Sequence, residues 1–177
     1  LQCRAEEMLE QLKEEGNAGA AVVLEPTTGE VLAISSFPDF DPNLFVLNSD
    51  PETLASYVAA DSNSPLYNRA VQGSYIPGST VKPLIAAMAL DDGVVDENYE
   101  FTGEIIKKQW TPKGYWPYPP ITRVSNYSGP VNMSNAITKS DNIYFADVAL
   151  KAGWEKLEPF LKMIGFDERI PFDLRVS

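Results

Sequence analysis

Pro77-Gly78-Ser79-Thr80-Val81-Lys82-Pro83 runs without a break into Leu84-Ile85-Ala86-Ala87-Met88-Ala89-Leu90 and halts at Asp91-Asp92-Gly93. A Pro-Gly turn before the run and Gly93 after it bracket a helix over Ser79–Leu90, with Val81, Leu84, Ile85, Met88 and Ala89 as its apolar stripe. Pro83 fits only if it lies within the first turn, where no N–H is needed. Residues 79 and 82 are then i, i+3 neighbours on one face, with Cβ atoms about 5–6 Å apart. That spacing sets a hydroxyl beside an amine. Serine is a weak nucleophile until a base takes its proton, and a lysine can do so when neutral. Partial burial and neighbouring positive charge both favour the neutral amine. The helix N-terminus adds partial positive charge where an oxyanion would develop. The plain alternative is a capping serine and a solvated first-turn lysine.

Composition narrows the chemistry. The chain has 177 residues, 44% hydrophobic and 22% charged, with a net charge of −11. This is the make-up of a globular chain long enough to bury a core. Lysines and arginines form no stripe, so nucleic acid is not an expected partner. There is no histidine, which excludes a Ser-His-Asp triad, a Cys-His pair and a His-ligated metal. The one cysteine, Cys3, can form neither an internal disulfide nor a zinc site. No cofactor and no metal are expected. No apolar run is long enough to span a membrane.

Downstream, Ser140-Asp141-Asn142 falls between two expected short helices. A hydroxyl there can pass a proton between Lys82 and a leaving amine, and the Asn142 amide can donate and accept toward a substrate peptide bond. The alternative is an ordinary loop and N-cap. Upstream, Ala5, Met8, Leu9 and Leu12 mark an amphipathic helix over 4–15 stopped by Gly16. Two β-rich runs, 20–24 and 30–34, flank Glu25-Pro26-Thr27-Thr28-Gly29 and make an antiparallel hairpin. Residues 36–68 are loop-like, with a short helix near Pro51–Ala60. The segment 100–130 is irregular and aromatic; Trp110–Pro120 is either a packed loop or a partner or glycan surface. Short helices are expected at 132–138, 142–152 and 155–164, with Gly153 and Gly165 as stops and Pro159 an awkward guest in the last.

Taken together, these residues resemble the penicillin-binding protein transpeptidase family. Ser-x-x-Lys followed by Ser-Asp-Asn is the paired signature of penicillin-binding proteins and class A β-lactamases. The likeness extends to Gly19–Ala33, Phe37–Asn43, Asn68-Arg69-Ala70 with Gly73–Pro83, and Ala136-Ile137 with Ser140–Phe145. Ile76 and Val81 stand where the family often has Pro and Phe. The resemblance implies an α+β, serine β-lactamase/transpeptidase-like fold in which residues 1–177 are part of a single domain: the N-terminal hairpin of an antiparallel sheet plus the mostly helical subdomain. It implies that Ser79 is acylated by a D-Ala-D-Ala stem peptide of peptidoglycan or by a β-lactam, and that Lys82 takes its proton. Ser140 would shuttle a proton to the leaving D-alanine, and Asn142 would hold the substrate amide and orient Lys82. The Ser79 N–H would be half of the oxyanion hole.

The family's third motif, Lys-Thr-Gly, is not in these residues; Lys113-Gly114 and Lys151-Ala152-Gly153 are the nearest strings. The chain is therefore expected to be a fragment of class B type, impaired in acylation and prone to associate through an uncovered apolar face. The parent would sit on the outer face of the bacterial membrane, held by an upstream helix, with a membrane glycosyltransferase as a partner. Two alternatives share the fold, a serine β-lactamase and a β-lactam sensor. The first needs a water-positioning glutamate; Glu155, Glu158 and Glu168 are available, but none lies in a Glu-x-x-Leu-Asn setting.

Overall fold

The computed structural model describes residues 1–47, 50–59, 64–169 and 172. They form two compact units, one within Leu1–Tyr75 and the other over Ile76–Arg169.

In the first unit, helix α1 (Gln2–Glu10) continues as a 3-10 turn over Gln11–Glu15 and stops at Gly16, whose φ of 67° suits glycine. The chain returns as β1 (Gly19–Leu24), pairing antiparallel with β2 (Val31–Phe37) in a register from Gly19↔Phe37 to Leu24↔Val31. Gly19 lies close under α1 and its 3-10 extension: a Cβ there would come within 2.8 Å of Leu12 Cδ1, and the leucine tip would have to turn aside. The Gln2 side chain lies along the outer edge of β2: its amide donates to Ile34 O at 2.8 Å, and its carbonyl accepts from Ile34 N at 2.9 Å. Beyond β2, the stretch read as loop contains helix α2 (Pro42–Leu47), and the expected helix forms as α3 (Pro51–Val58). The Asp50 carboxylate caps α3 by accepting from Thr53 N at 3.0 Å. Phe40, Phe45 and Tyr57 cluster with ring centroids 5.6–6.4 Å apart, so aromatic packing organises a proline-rich stretch that lacks helical periodicity. The last expected residue of the 51–60 helix, Ala60, lies outside the described residues. A one-turn helix, α4 (Arg69–Gln72), is capped by the Asn68 side chain.

The second unit opens with a 3-10 turn, Gly78–Val81, that leads directly into α5 (Lys82–Asp91). Pro83 lies in the first turn of α5, as its missing N–H demands. Two short strands, β3 (Gln109–Trp110) and β4 (Ile121–Thr122), pair antiparallel inside the segment read as irregular. Then come α6 (Met133–Lys139), α7 (Asn142–Ala152) and α8 (Trp154–Met163). The core gathers around α7, whose Ile143, Tyr144 and Val148 are fully buried against Ile85, Met88, Ala89, Ala136 and Phe101. Trp110 stacks edge-on against Phe101 at 5.1 Å, so that aromatic is packed. Leu84, expected on the buried stripe of α5, is exposed and Ala86 takes its place inside. Pro159 sits within α8 on its exposed side, where the carbonyl it leaves unpaired can meet water.

Candidate active site

The site forms where the start of α5 meets the turn between α6 and α7, all within the second unit. Gly78, with φ of 56°, turns the chain so that Ser79 enters the 3-10 turn, and the Lys82 N–H closes that turn onto Ser79 O. Ser79 is exposed; Lys82, one helical step on, is buried with 8% of its surface accessible. Opposite, Ser140 ends α6 in the left-handed conformation (φ 52°, ψ 47°), rare for a residue with a side chain. Asp141 then caps α7, its Oδ1 accepting from Ile143 N at 2.8 Å and Tyr144 N at 3.4 Å.

These elements bring all four residues singled out in the sequence into one hydrogen-bonded group. Lys82 Nζ donates to Ser140 O at 2.7 Å, to Ser140 Oγ at 3.0 Å and to Asn142 Oδ1 at 2.6 Å. Ser140 Oγ donates to Ser79 Oγ at 2.8 Å. Lysine and nucleophile are thus joined through Ser140. Asn142 Nδ2 donates to Thr122 O at 2.8 Å, which fixes the amide with its oxygen toward the lysine.

This geometry orients a proton path. A neutral lysine has two protons and one lone pair. Ser140 O and Asn142 Oδ1 can only accept, so they claim the two protons. The lone pair then faces Ser140 Oγ, whose single proton turns from Ser79 Oγ to the lysine while the Ser79 hydroxyl donates to Ser140 Oγ in its place. Burial pushes the Lys82 pKa below its ordinary value, and the Asp141 carboxylate partly opposes this. Of the two influences weighed in the sequence, burial and neighbouring charge, burial supplies the bias toward the neutral amine, because the charge acting on the lysine is the negative Asp141. The Phe145 ring closes another side of the amine at 5.9 Å.

Three further residues bear on the site: Asp141, which the sequence placed in the second motif without a role, and Arg123 and Tyr127, which it did not single out. Asp141 is 1% exposed, and its Oδ2 accepts from Tyr127 OH at 2.7 Å and Arg123 NH1 at 3.3 Å. The Arg123 guanidinium lies over the Tyr127 ring at 4.8 Å. Burial and the hydrogen bond to Asp141 push the Tyr127 pKa up to about 12, which keeps its hydroxyl a donor. Only the N-cap position of Asp141 offered a signal in the sequence. Among the glutamates considered for water activation, Glu158 is paired with Lys162 at 2.8 Å, and none is hydrogen-bonded to the four site residues.

Ser79, Lys82, Ser140 and Asn142 thus meet in one hydrogen-bonded group within an α+β unit. The chain belongs to the penicillin binding protein transpeptidase domain family, whose model matches residues 19–176. It is 37% identical over 171 residues to penicillin-binding protein 3 of Bacillus subtilis, covering 96% of this chain and 25% of that one. It is 35% identical over 168 residues to the peptidoglycan D,D-transpeptidase MrdA of Acinetobacter baumannii, covering 90% and 23%. Among solved structures, the penicillin G acyl-enzyme complex of penicillin-binding protein A from M. tuberculosis matches with a TM-score of 0.74 and 30% identity, covering 90% of this chain and 37% of that one. The chain thus spans about a quarter of the length of these two curated relatives. Among the described residues, no helix is long and apolar enough to cross a membrane.

Proposed function

We propose that this chain carries the acylation site of a peptidoglycan D,D-transpeptidase with Ser79 as nucleophile. The observation that carries the reading is the continuous path from Ser79 Oγ through Ser140 Oγ to the buried amine of Lys82. Ser79 Oγ attacks the carbonyl of the penultimate D-alanine of a stem peptide. Its proton moves to Ser140 as the Ser140 proton moves to Lys82. On collapse the C–N bond breaks, and Lys82 returns a proton through Ser140 to the leaving D-alanine amine. A second stem-peptide amine then takes the acyl group. The second N–H of Asn142 Nδ2 is available to the substrate peptide bond, and the Ser79 N–H, at the start of its turn, to the oxyanion. A β-lactam enters the same path and stays on Ser79.

Both compact units belong to one transpeptidase domain in this reading, which the family match running from 19 to 176 supports. The name of the Acinetobacter baumannii relative supports peptidoglycan as the substrate class, and a cell-wall substrate makes the outer face of the cell membrane the proposed place of work. An upstream anchoring helix and a membrane glycosyltransferase partner complete the proposal. The 177 residues contain no Lys-Thr-Gly, so alone they lack the family's strand for the substrate carboxylate and acylate weakly.

Intact mass spectrometry after exposure of the full-length protein to a fluorescent penicillin tests the reading. One adduct on Ser79, lost in Ser79→Ala, is the expected result; an adduct that survives that substitution refutes it. The 177-residue chain should label much more slowly than the full-length protein, and equal rates would overturn its proposed impairment.

A further inference from the structure

We propose that Arg123 and Tyr127 are positioning residues for the proton path, acting through Asp141 to hold the 140–142 turn in its working shape. The inference rests on the acylation reading above and adds residues that touch neither nucleophile nor base.

The turn has a demanding geometry. Ser140 must hold a left-handed backbone so that both its carbonyl and its hydroxyl meet Lys82, while Asn142, two residues on, meets the same amine. Asp141 joins them and divides its carboxylate between two tasks. Oδ1 secures the first turn of α7, and Oδ2 is held from outside the turn by Tyr127 OH and Arg123 NH1. Adjacent residues of β4 and its extension grip adjacent residues of the turn: Thr122 O holds the Asn142 amide and Arg123 holds Asp141. This gripping segment is itself fixed, because Arg123 N donates to Lys108 O at 3.0 Å.

The burial pattern favours function over bulk stability as the reason for the arrangement. Arg123 is 9% exposed and pairs with the Asp141 carboxylate, itself 1% exposed. A buried pair of this kind adds little net stability, since the cost of removing both charges from water offsets their attraction. What the pair provides is direction: contacts from two sides fix the orientation of the carboxylate between Ser140 and Asn142. Misplacement of a reacting group by about 1 Å can cost about a hundredfold in rate.

The test is acylation kinetics of the full-length protein with a chromogenic β-lactam, resolved into the binding constant and the acylation rate constant. Ser79→Ala serves first: retained acylation would sink the underlying reading, whereas its loss leaves the positioning claim to the variants. Tyr127→Phe keeps the ring and removes only the hydroxyl. It should slow acylation at least about tenfold with binding unchanged. Arg123→Gln should do the same, and Arg123→Lys, which keeps a charged donor, should recover part of the rate. A normal acylation rate in Tyr127→Phe, or Arg123→Lys no better than Arg123→Gln, would overturn the proposal. Should Tyr127→Phe fail to fold, the Arg123 pair alone decides.

Discussion

Lys82 carries the sharpest expectation at the residue scale. Burial holds its pKa below the ordinary lysine value of about 10.4, so a usable fraction of neutral amine appears at lower pH than on a solvated lysine. Acylation should therefore rise with pH and level off below that value, a profile that stopped-flow measurements on the full-length protein would trace. Lys82→Arg, which stays charged, should show no such limb and a rate about 10²–10⁴ lower. The same depression ties stability to pH. Because the folded pKa lies below the unfolded one, the contribution of this lysine is fully present above the unfolded value and is lost as pH falls through the folded one. The stability of wild type minus that of Lys82→Met should thus increase from neutral to alkaline pH in chemical denaturation; a flat difference would contradict the shift. Ser79, Lys82, Ser140 and Asn142 were legible because each sits in a short motif with defined spacing. Arg123 and Tyr127 were not, because their segment has no periodicity and their importance comes from contact with a residue far along the chain.

Among the elements, α7 supports the site from below. Ile143 is 0% exposed, one residue beyond Asn142, and Ile143→Ala should cost about 2–5 kcal/mol by leaving a cavity under the turn. Ile137 on α6 is 44% exposed, and Ile137→Ala should fall within about 0.5 kcal/mol. Thermal or urea unfolding of the two variants makes the comparison. The Asn132 side chain caps α6 by accepting from Asn135 N at 3.0 Å, and Asn132→Ala should cost about 1 kcal/mol. The long helices and the hairpin were legible because apolar spacing and glycine stops agree at Gly16, Gly93 and Gly153. The two-residue strands β3 and β4 are too short to show alternation, and α2 is hidden by prolines whose order comes from the Phe40, Phe45 and Tyr57 cluster. The start of α5 differs in kind from the expected single helix. The turn leading into it, Gly78–Val81, is 3-10, which tightens the step between Ser79 and Lys82.

For the whole molecule, the α+β class was legible through the family likeness more than through pattern alone. The division into two units was not, since Tyr75-Ile76-Pro77-Gly78 looks like an approach to the nucleophile and not like a linker. The hairpin leaves Val22, Leu24 and Leu32 between 44% and 55% exposed, an apolar strip without cover. The 177-residue chain should therefore self-associate with rising concentration in light scattering, and a clean monomer throughout would count against this. The route of that association is set by a small detail at the N-terminus. With its amide folded onto Ile34, Gln2 imitates one rung of a neighbouring strand and so blunts that border of the sheet. Edge-to-edge pairing with a second copy should therefore favour the other border of the hairpin, along β1. Gln2→Ala would free the Ile34 N–H and carbonyl, and light scattering should then show larger assemblies than the unaltered chain forms.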